Sequence, residues 1–300
     1  MRVTTLSIEG RSARSALMLS LVASLLYGSQ YVVIKDGMGG INPLLFGAAT
    51  MGTGGLLAML LVRRRKGLDL SIFKRWEVWA GTFFATAMNA CQYIGLTLST
   101  ASVGGLIVGS NVIFVAPLSA IIFREVIGRV QALGVAVGLM GLVTITTGWD
   151  LSFLGTNVFL GDILLLIASF SIAANYPLTK FAVRVMGNDE WVMSFHLLSA
   201  FFLLILSLFI GGPGEPGDLS IPAVLFVGLF CTSVPTLLWA IGLRSLSMTT
   251  SATVLLSESA FAVLLGVVLL SEPLDKMTVL GAVLVFLAIF TVSRTVAQKR

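Results

Sequence analysis

Charge is what this chain is short of. Asp, Glu, Lys and Arg make up 11% of its 300 residues, against about 25% in a soluble domain. With apolar residues at 57%, too few polar groups remain to cover a water-soluble fold. Cysteine is scarce as well. Cys91 and Cys231 both fall inside apolar runs, where they read as small core side chains and not as a disulfide or a metal pair. One histidine, His196, and the lack of His-Glu-x-x-His, Gly-x-Ser-x-Gly or paired mid-span aspartates leave little from which to build a membrane-embedded enzyme. The glycine-rich MGTGGL (51–56) has neither the spacing nor the following Lys of a phosphate loop. No enzyme, metal or cofactor is expected.

What is present is a series of apolar runs. Breaks in hydropathy divide the chain into ten candidate spans: 16–35, 43–62, 76–97, 101–122, 129–147, 160–181, 190–211, 220–243, 248–270 and 276–294. Each is close to the roughly 20 residues that a helix needs to cross a bilayer. The net charge of +5 could suggest nucleic acid, but its distribution points to topology. With the N-terminus inside, every Lys and Arg except Lys35 and Lys276 falls on the inner side, the run RRRKG (63–67) among them. That bias predicts cytoplasmic termini, with the first helix as a signal anchor. The tails are then 1–15 and 295–300, and no nucleic-acid partner is expected.

The chain also repeats itself. At an offset of 147, residues 81–145 lie on 228–292 without a gap; Ile94-Gly95-Leu96 meets Ile241-Gly242-Leu243, and Glu125 meets Glu272. At an offset of 145 the first span lies on the sixth, Tyr31 on Tyr176 and Lys35 on Lys180. Two five-helix repeats follow, 16–147 and 160–294. Five is odd, so the second repeat enters the membrane in the opposite sense. The expected fold is all-α and integral to the membrane, with inverted-topology repeats around a central cavity. Such halves can exchange conformations and turn a central site from one side to the other. Duplication without use of the symmetry is the plainer alternative.

The stretches LLYGSQYVVIK (25–35), INPLLFGAAT (41–50), LSTASVGGLI (98–107) and VLLSESAFAVLLGVVLLSEPL (254–274) resemble the EamA-domain members of the drug/metabolite transporter superfamily. The resemblance implies a ten-helix carrier, in many members an exporter of amino acids, metabolites or drugs, in a prokaryotic plasma membrane. It further implies peripheral fifth and tenth helices, and a cavity walled by helices 1, 3, 4, 6, 8 and 9. Two departures stand out. No Arg lies near Thr50-Met51, where the family often has one, and Ser259 follows Glu258 where the family often has Pro, which predicts a straighter ninth helix.

Polar groups at membrane depth must face protein or water. Glu258 is the sharpest case, and Asn111 occupies the same repeat column. Ser257 precedes Glu258, as Ser110 precedes Asn111. Tyr27, Gln30 and Tyr31 cluster on one helix face, as do Asn89 and Tyr93 on another; Asn175, Tyr176 and Trp239 are the counterparts in the second half. By topology the first set lies toward the outside and the second toward the inside, forming two aromatic-polar rings. These residues are the candidate cargo-binding set, weighed against interfacial anchoring and interhelical hydrogen bonding. Glu258, His196, Glu125 and Glu272 are candidates for coupling or gating. A carboxyl that alternates between sealed and hydrated surroundings can take up and release a proton. For His196 a bonded core group is the leading alternative, and for the other two glutamates, helix capping.

Polyanionic cargo needs Arg or Lys in the cavity, and the spans carry none at mid-depth. The expected partners are therefore the bilayer and a small neutral, zwitterionic or cationic solute. A sugar-nucleotide or organic-phosphate exchanger, a channel and a non-transporting receptor are the rival functions.

Overall fold

Leu-, Val- and Ala-rich runs with few charges can satisfy their backbone in lipid only as helices. In the computed structural model, which describes residues 13–65, 67–123, 128–150, 155–210, 220–246, 248–255 and 257–297, every regular element is helical. The α-helices are α1 (Ala13–Gly37), α2 (Pro43–Arg65), α3 (Trp76–Leu98), α4 (Ala101–Gly109), α5 (Val112–Phe123), α6 (Arg129–Thr147), α7 (Asn157–Val185), α8 (Asn188–Phe209), α9 (Ile221–Phe226), α10 (Val234–Leu243), α11 (Met248–Leu255), α12 (Ser257–Leu270) and α13 (Lys276–Ala297).

Six helical stretches are long and apolar enough to cross a bilayer: Ser15–Gly37, Pro43–Arg65, Ala101–Ile122, Asn157–Val185, Asn188–Phe209 and Ile221–Leu243. The sequence predicts ten. Of the other four, α3 is long enough but carries Glu77, Asn89 and Gln92. The remaining three hold shorter apolar stretches, Ala132–Ile145, Ser257–Leu270 and Lys276–Ala288. Polarity is arranged inside out. Phe209 is 82% exposed and Leu208 76%, whereas Glu258 is 6% exposed and His196 1%. A surface of this kind suits lipid and not water.

Two of the helical stretches are irregular. Ser110 and Asn111 separate α4 from α5. Between α9 and α10, residues Val227–Ser233 form a π-helical segment, followed by Pro235. Proline has no N–H to offer the carbonyl four residues back, and wider turns of this kind recur at functional sites. The ninth predicted span appears as α11 and α12 on either side of residue 256; that residue lies outside the described set, and so does any test of its straightness.

Glycine allows the close approaches. A Cβ on Gly105 would stand 2.1 Å from Ala262 Cβ, and one on Gly109 would stand 1.9 Å from Ser259 Oγ, so α4 and α12 meet backbone to backbone. Several contacts occur twice, at the sequence offsets 145 and 147. Ser24 Oγ lies 3.3 Å from Leu255 O, its proton going to Ser257 Oγ at 2.6 Å, and Ser169 Oγ lies 3.2 Å from Val108 O. Lys35 Nζ donates to Ser99 O, and Lys180 Nζ approaches Leu246 O at 3.5 Å. Gly95 lies against Gly161 and Leu165, as Gly242 lies against Ala16 and Ser20. The helices α6 and α13 pack on each other.

One end of the bundle is tightly held. Glu272 accepts from the N–H groups of Ala101 and Ser102 at 2.7 and 2.8 Å, capping α4. Lys35 also reaches Leu96 O at 3.3 Å, and Asp162 accepts from Ser99 Oγ at 2.7 Å. Cation at the end of α3 and anion at the start of α4 both oppose the local helix dipole. Glu272→Ala is expected to lower stability by about 0.5–2 kcal/mol, the usual value of a cap. Thermal melts of detergent-purified protein check this, with Glu272→Gln falling between the two. Glu125, the repeat counterpart, lies outside the described residues.

Candidate functional site

The polar faces of the central helices enclose a narrow cavity. Space open to water centres amounts to about 90 Å³, enough for several waters or one small solute. From α1 come Tyr27 and Gln30; from α3, Met88, Asn89 and Gln92; from the α4–α5 joint, Asn111. The second half contributes Asn175, Tyr176 and Thr179 of α7, Cys231 and Thr232 of the π segment, Thr236 and Trp239 of α10, and Glu258 of α12. Met51 of α2 and Phe195 and His196 of α8 complete much of the rest. Beyond the six helices that the resemblance makes the main wall, the lining takes in α2 and α8, the second and seventh spans, and α6 and α13 supply none of the described lining.

The two rings read from the sequence are one site. Thr236 Oγ1 donates to Thr232 O at 2.5 Å, so Tyr27 OH donates to Thr236 Oγ1 at 2.7 Å and ties the sets together. Tyr176 meets Trp239 edge-on at 4.8 Å, and Trp239 Nε1 donates to Ser251 Oγ at 3.0 Å. An aromatic corner results, rigid and able to face a cation.

Three candidates stand off the wall, each bonded elsewhere. Tyr31 OH donates to Glu258 Oε1 at 2.6 Å from behind the carboxylate, and Gln30 bonds to the same group. Tyr93 pairs with Thr50 at 2.7 Å. Ser257 Oγ donates to Val254 O at 2.8 Å and pairs with Ser24 at 2.6 Å. Thr50 lies where the family often has Arg, and it donates to Gly47 O at 3.0 Å, so Tyr93 is the donor between them. Thr50→Val should leave that buried hydroxyl unpaired and cost about 1–3 kcal/mol. Restoration of part of the lost melting temperature by adding Tyr93→Phe would verify the cause.

Electrostatically the wall is simple. Among its described residues Glu258 is the one carboxylate, and none is Lys or Arg. Among the described residues, four buried polar atoms on the wall have no hydrogen-bond partner: Asn111 Oδ1, Asn175 Oδ1, Tyr176 OH and His196 Nδ1. His196 is buried, lies edge-on to Phe195 and borders the cavity. Among the described residues, no group of His, Cys, Asp and Glu could hold a metal.

Sequence reading had missed Gln92 and Thr179. The signal was available: Asn89 and Gln92, like Tyr176 and Thr179, are three residues apart on one helix face.

The EamA-like transporter family model matches residues 14–147 and again 159–294. A protein of Archaeoglobus fulgidus described as an uncharacterized transporter is 26% identical over 92% of this chain and 84% of its own length. The uncharacterized transporter YoaV of Bacillus subtilis is 23% identical over 94% of this chain and 98% of its own. A solved structure described as a crystal structure of protein superposes with a TM-score of 0.71 at 18% identity, covering 96% of this chain and all of the other, which establishes the fold alone. With two family matches spanning nearly its whole length and apolar helices of membrane-crossing length, this chain is an integral membrane protein and belongs to the EamA-like transporter family.

Proposed function

We propose that the protein is a secondary transporter of the drug/metabolite superfamily. It moves a small neutral, zwitterionic or cationic metabolite, in the direction of export, by alternating access between two inverted five-helix repeats. Both termini are cytoplasmic, and the membrane is a prokaryotic plasma membrane. The observation that carries this reading is the cavity itself, where polar side chains and one carboxylate, with no Lys or Arg among the described lining, sit inside a bundle whose outer surface is apolar.

The contacts that recur at the two repeat offsets support an inverted pair of halves. Around Ser99, by topology the outer end, Lys35, Asp162 and Glu272 hold three elements together. At the inner end Lys180 Nζ lies 3.5 Å from Leu246 O and Arg244 donates to Val183 O at 2.7 Å, beside a polar cleft of about 460 Å³ bordered by Arg75, Arg184, Glu190 and Arg244. Glu258 serves as the group that meets cargo or proton in turn. The sugar-nucleotide or organic-phosphate alternative is disfavoured by the lack of Lys and Arg on the described wall.

The test is flux. Liposomes containing the purified chain and loaded with a mixture of small metabolites should release one or a few non-anionic solutes saturably, as read by mass spectrometry. Release no faster than from protein-free vesicles, or unitary currents in planar bilayers, would overturn the carrier reading.

A further inference from the structure

Two repeat-related pairs of side chains are in different states. Tyr31 corresponds to Tyr176 at the offset of 145, and Glu258 to Asn111 at 147. The first pair is closed, with Tyr31 OH donating to Glu258 Oε1 at 2.6 Å. In the second, Tyr176 OH and Asn111 Oδ1 both lack a hydrogen-bond partner among the described residues, and both residues border the cavity. The Asn111 amide has only one reasonable orientation, because its Nδ2 donates to Val108 O at 3.1 Å and a carbonyl can only accept. The oxygen is therefore the unspent atom. Asn175 Oδ1 adds another acceptor without a partner.

Water can satisfy such atoms, but a solute that displaces it must bring donors of its own. Three features then converge on one chemistry. Two amide oxygens call for N–H groups, the carboxylate of Glu258 calls for positive charge, and the Tyr176–Trp239 corner favours a cation over a ring face. We propose that the cargo is a protonated primary or secondary amine whose N–H groups enter between Tyr176 and Asn111, the parted counterpart of the Tyr31–Glu258 pair. This rests on the carrier reading above and narrows it to a cargo class. Quaternary ammonium keeps the charge but has no N–H, and a site built around hydrogen bonds rejects the analogue that lacks them.

Binding of matched ligands to the detergent-purified full chain tests this by calorimetry and ligand-induced thermal shift. The probes are 2-phenylethylamine, its N,N,N-trimethyl derivative and 2-phenylethanol, with a panel of primary amines from ethylamine to tryptamine. A primary amine should bind at least about tenfold more tightly than its trimethyl or hydroxyl counterpart. Asn111→Leu should erase the preference, and Asn111→Asp, which keeps an acceptor, should retain it and show that the fold persists. Equal or tighter binding of the trimethyl compound, or no binding by any amine in the panel, overturns the cargo class. Saturable flux of a solute without N–H would likewise refute the amine while leaving the carrier standing. A tenfold amine preference without flux would do the reverse.

Discussion

Glu258→Gln is expected to lower saturable flux at least about tenfold while leaving the protein folded, and to flatten whatever pH dependence the native protein has. The substitution is chosen for what it keeps. Glutamine retains an oxygen where Oε1 accepts from Tyr31 at 2.6 Å, so that buried hydroxyl stays satisfied and the helix contact survives. What it removes is a group able to carry charge or a proton on a wall with no other carboxylate among its described residues. Hydrogen bonds to an ionised acceptor are roughly twice as strong as neutral ones, so a cationic cargo loses both pairing and bond strength. Flux in proteoliposomes with and without a pH gradient, beside a melting curve, separates loss of function from loss of fold. Unchanged transport across pH would remove Glu258 from the mechanism.

The second large effect is structural. Gly109→Val and Gly105→Val should each prevent recovery of monodisperse protein or depress its melting temperature by roughly 10 °C, in line with overpacking of up to about 3 kcal/mol. A Cβ at position 109 would stand 1.9 Å from Ser259 Oγ, and one at position 105 would stand 2.1 Å from Ala262 Cβ. Neither neighbour can retreat, since Ser259 Oγ donates to Gly105 O at 2.8 Å and Ala262 is fully buried. Gly52→Ala is the control: its nearest neighbour would be Ala200 Cβ at 3.8 Å, so the change should be neutral or stabilising by up to about 1 kcal/mol through helix propensity. Partial rescue of Gly105→Ala by Ala262→Gly would tie the damage to this crossing. Equal tolerance of Gly105→Val and Gly52→Ala would show that the approach of α4 and α12 is not needed.

Much of the architecture was legible because membrane helices leave few choices. Apolar runs indicated the helices, and contacts recur at the offsets that self-comparison found, such as Ser24 with Leu255 and Ser169 with Val108. The wall was only half legible. On α1 and α3 the sequence offers a polar residue three and four places beyond the first, Gln30 and Tyr31 after Tyr27, Gln92 and Tyr93 after Asn89. In both helices the three-place neighbour borders the cavity and the four-place one turns into a helix interface. Periodicity identifies a polar face about 100° wide but not which edge of it the neighbouring helices leave open. That edge is fixed by packing, and packing depends on glycines whose partners lie far away in the sequence. The π segment was hidden for a related reason: Pro235 marks a disturbance, yet it does not say that Cys231 and Thr232 will be carried onto the wall.

The Tyr31 hydroxyl bonds a carboxylate while the Tyr176 hydroxyl has no hydrogen-bond partner among the described residues, which gives the molecule a front and a back. Turning it over in the bilayer would not return the same machine, because the column that holds Glu258 in one repeat holds Asn111 in the other. Vesicles holding right-side-out and inverted copies therefore contain two unlike populations, and any rate measured on the mixture is the sum of two different rates.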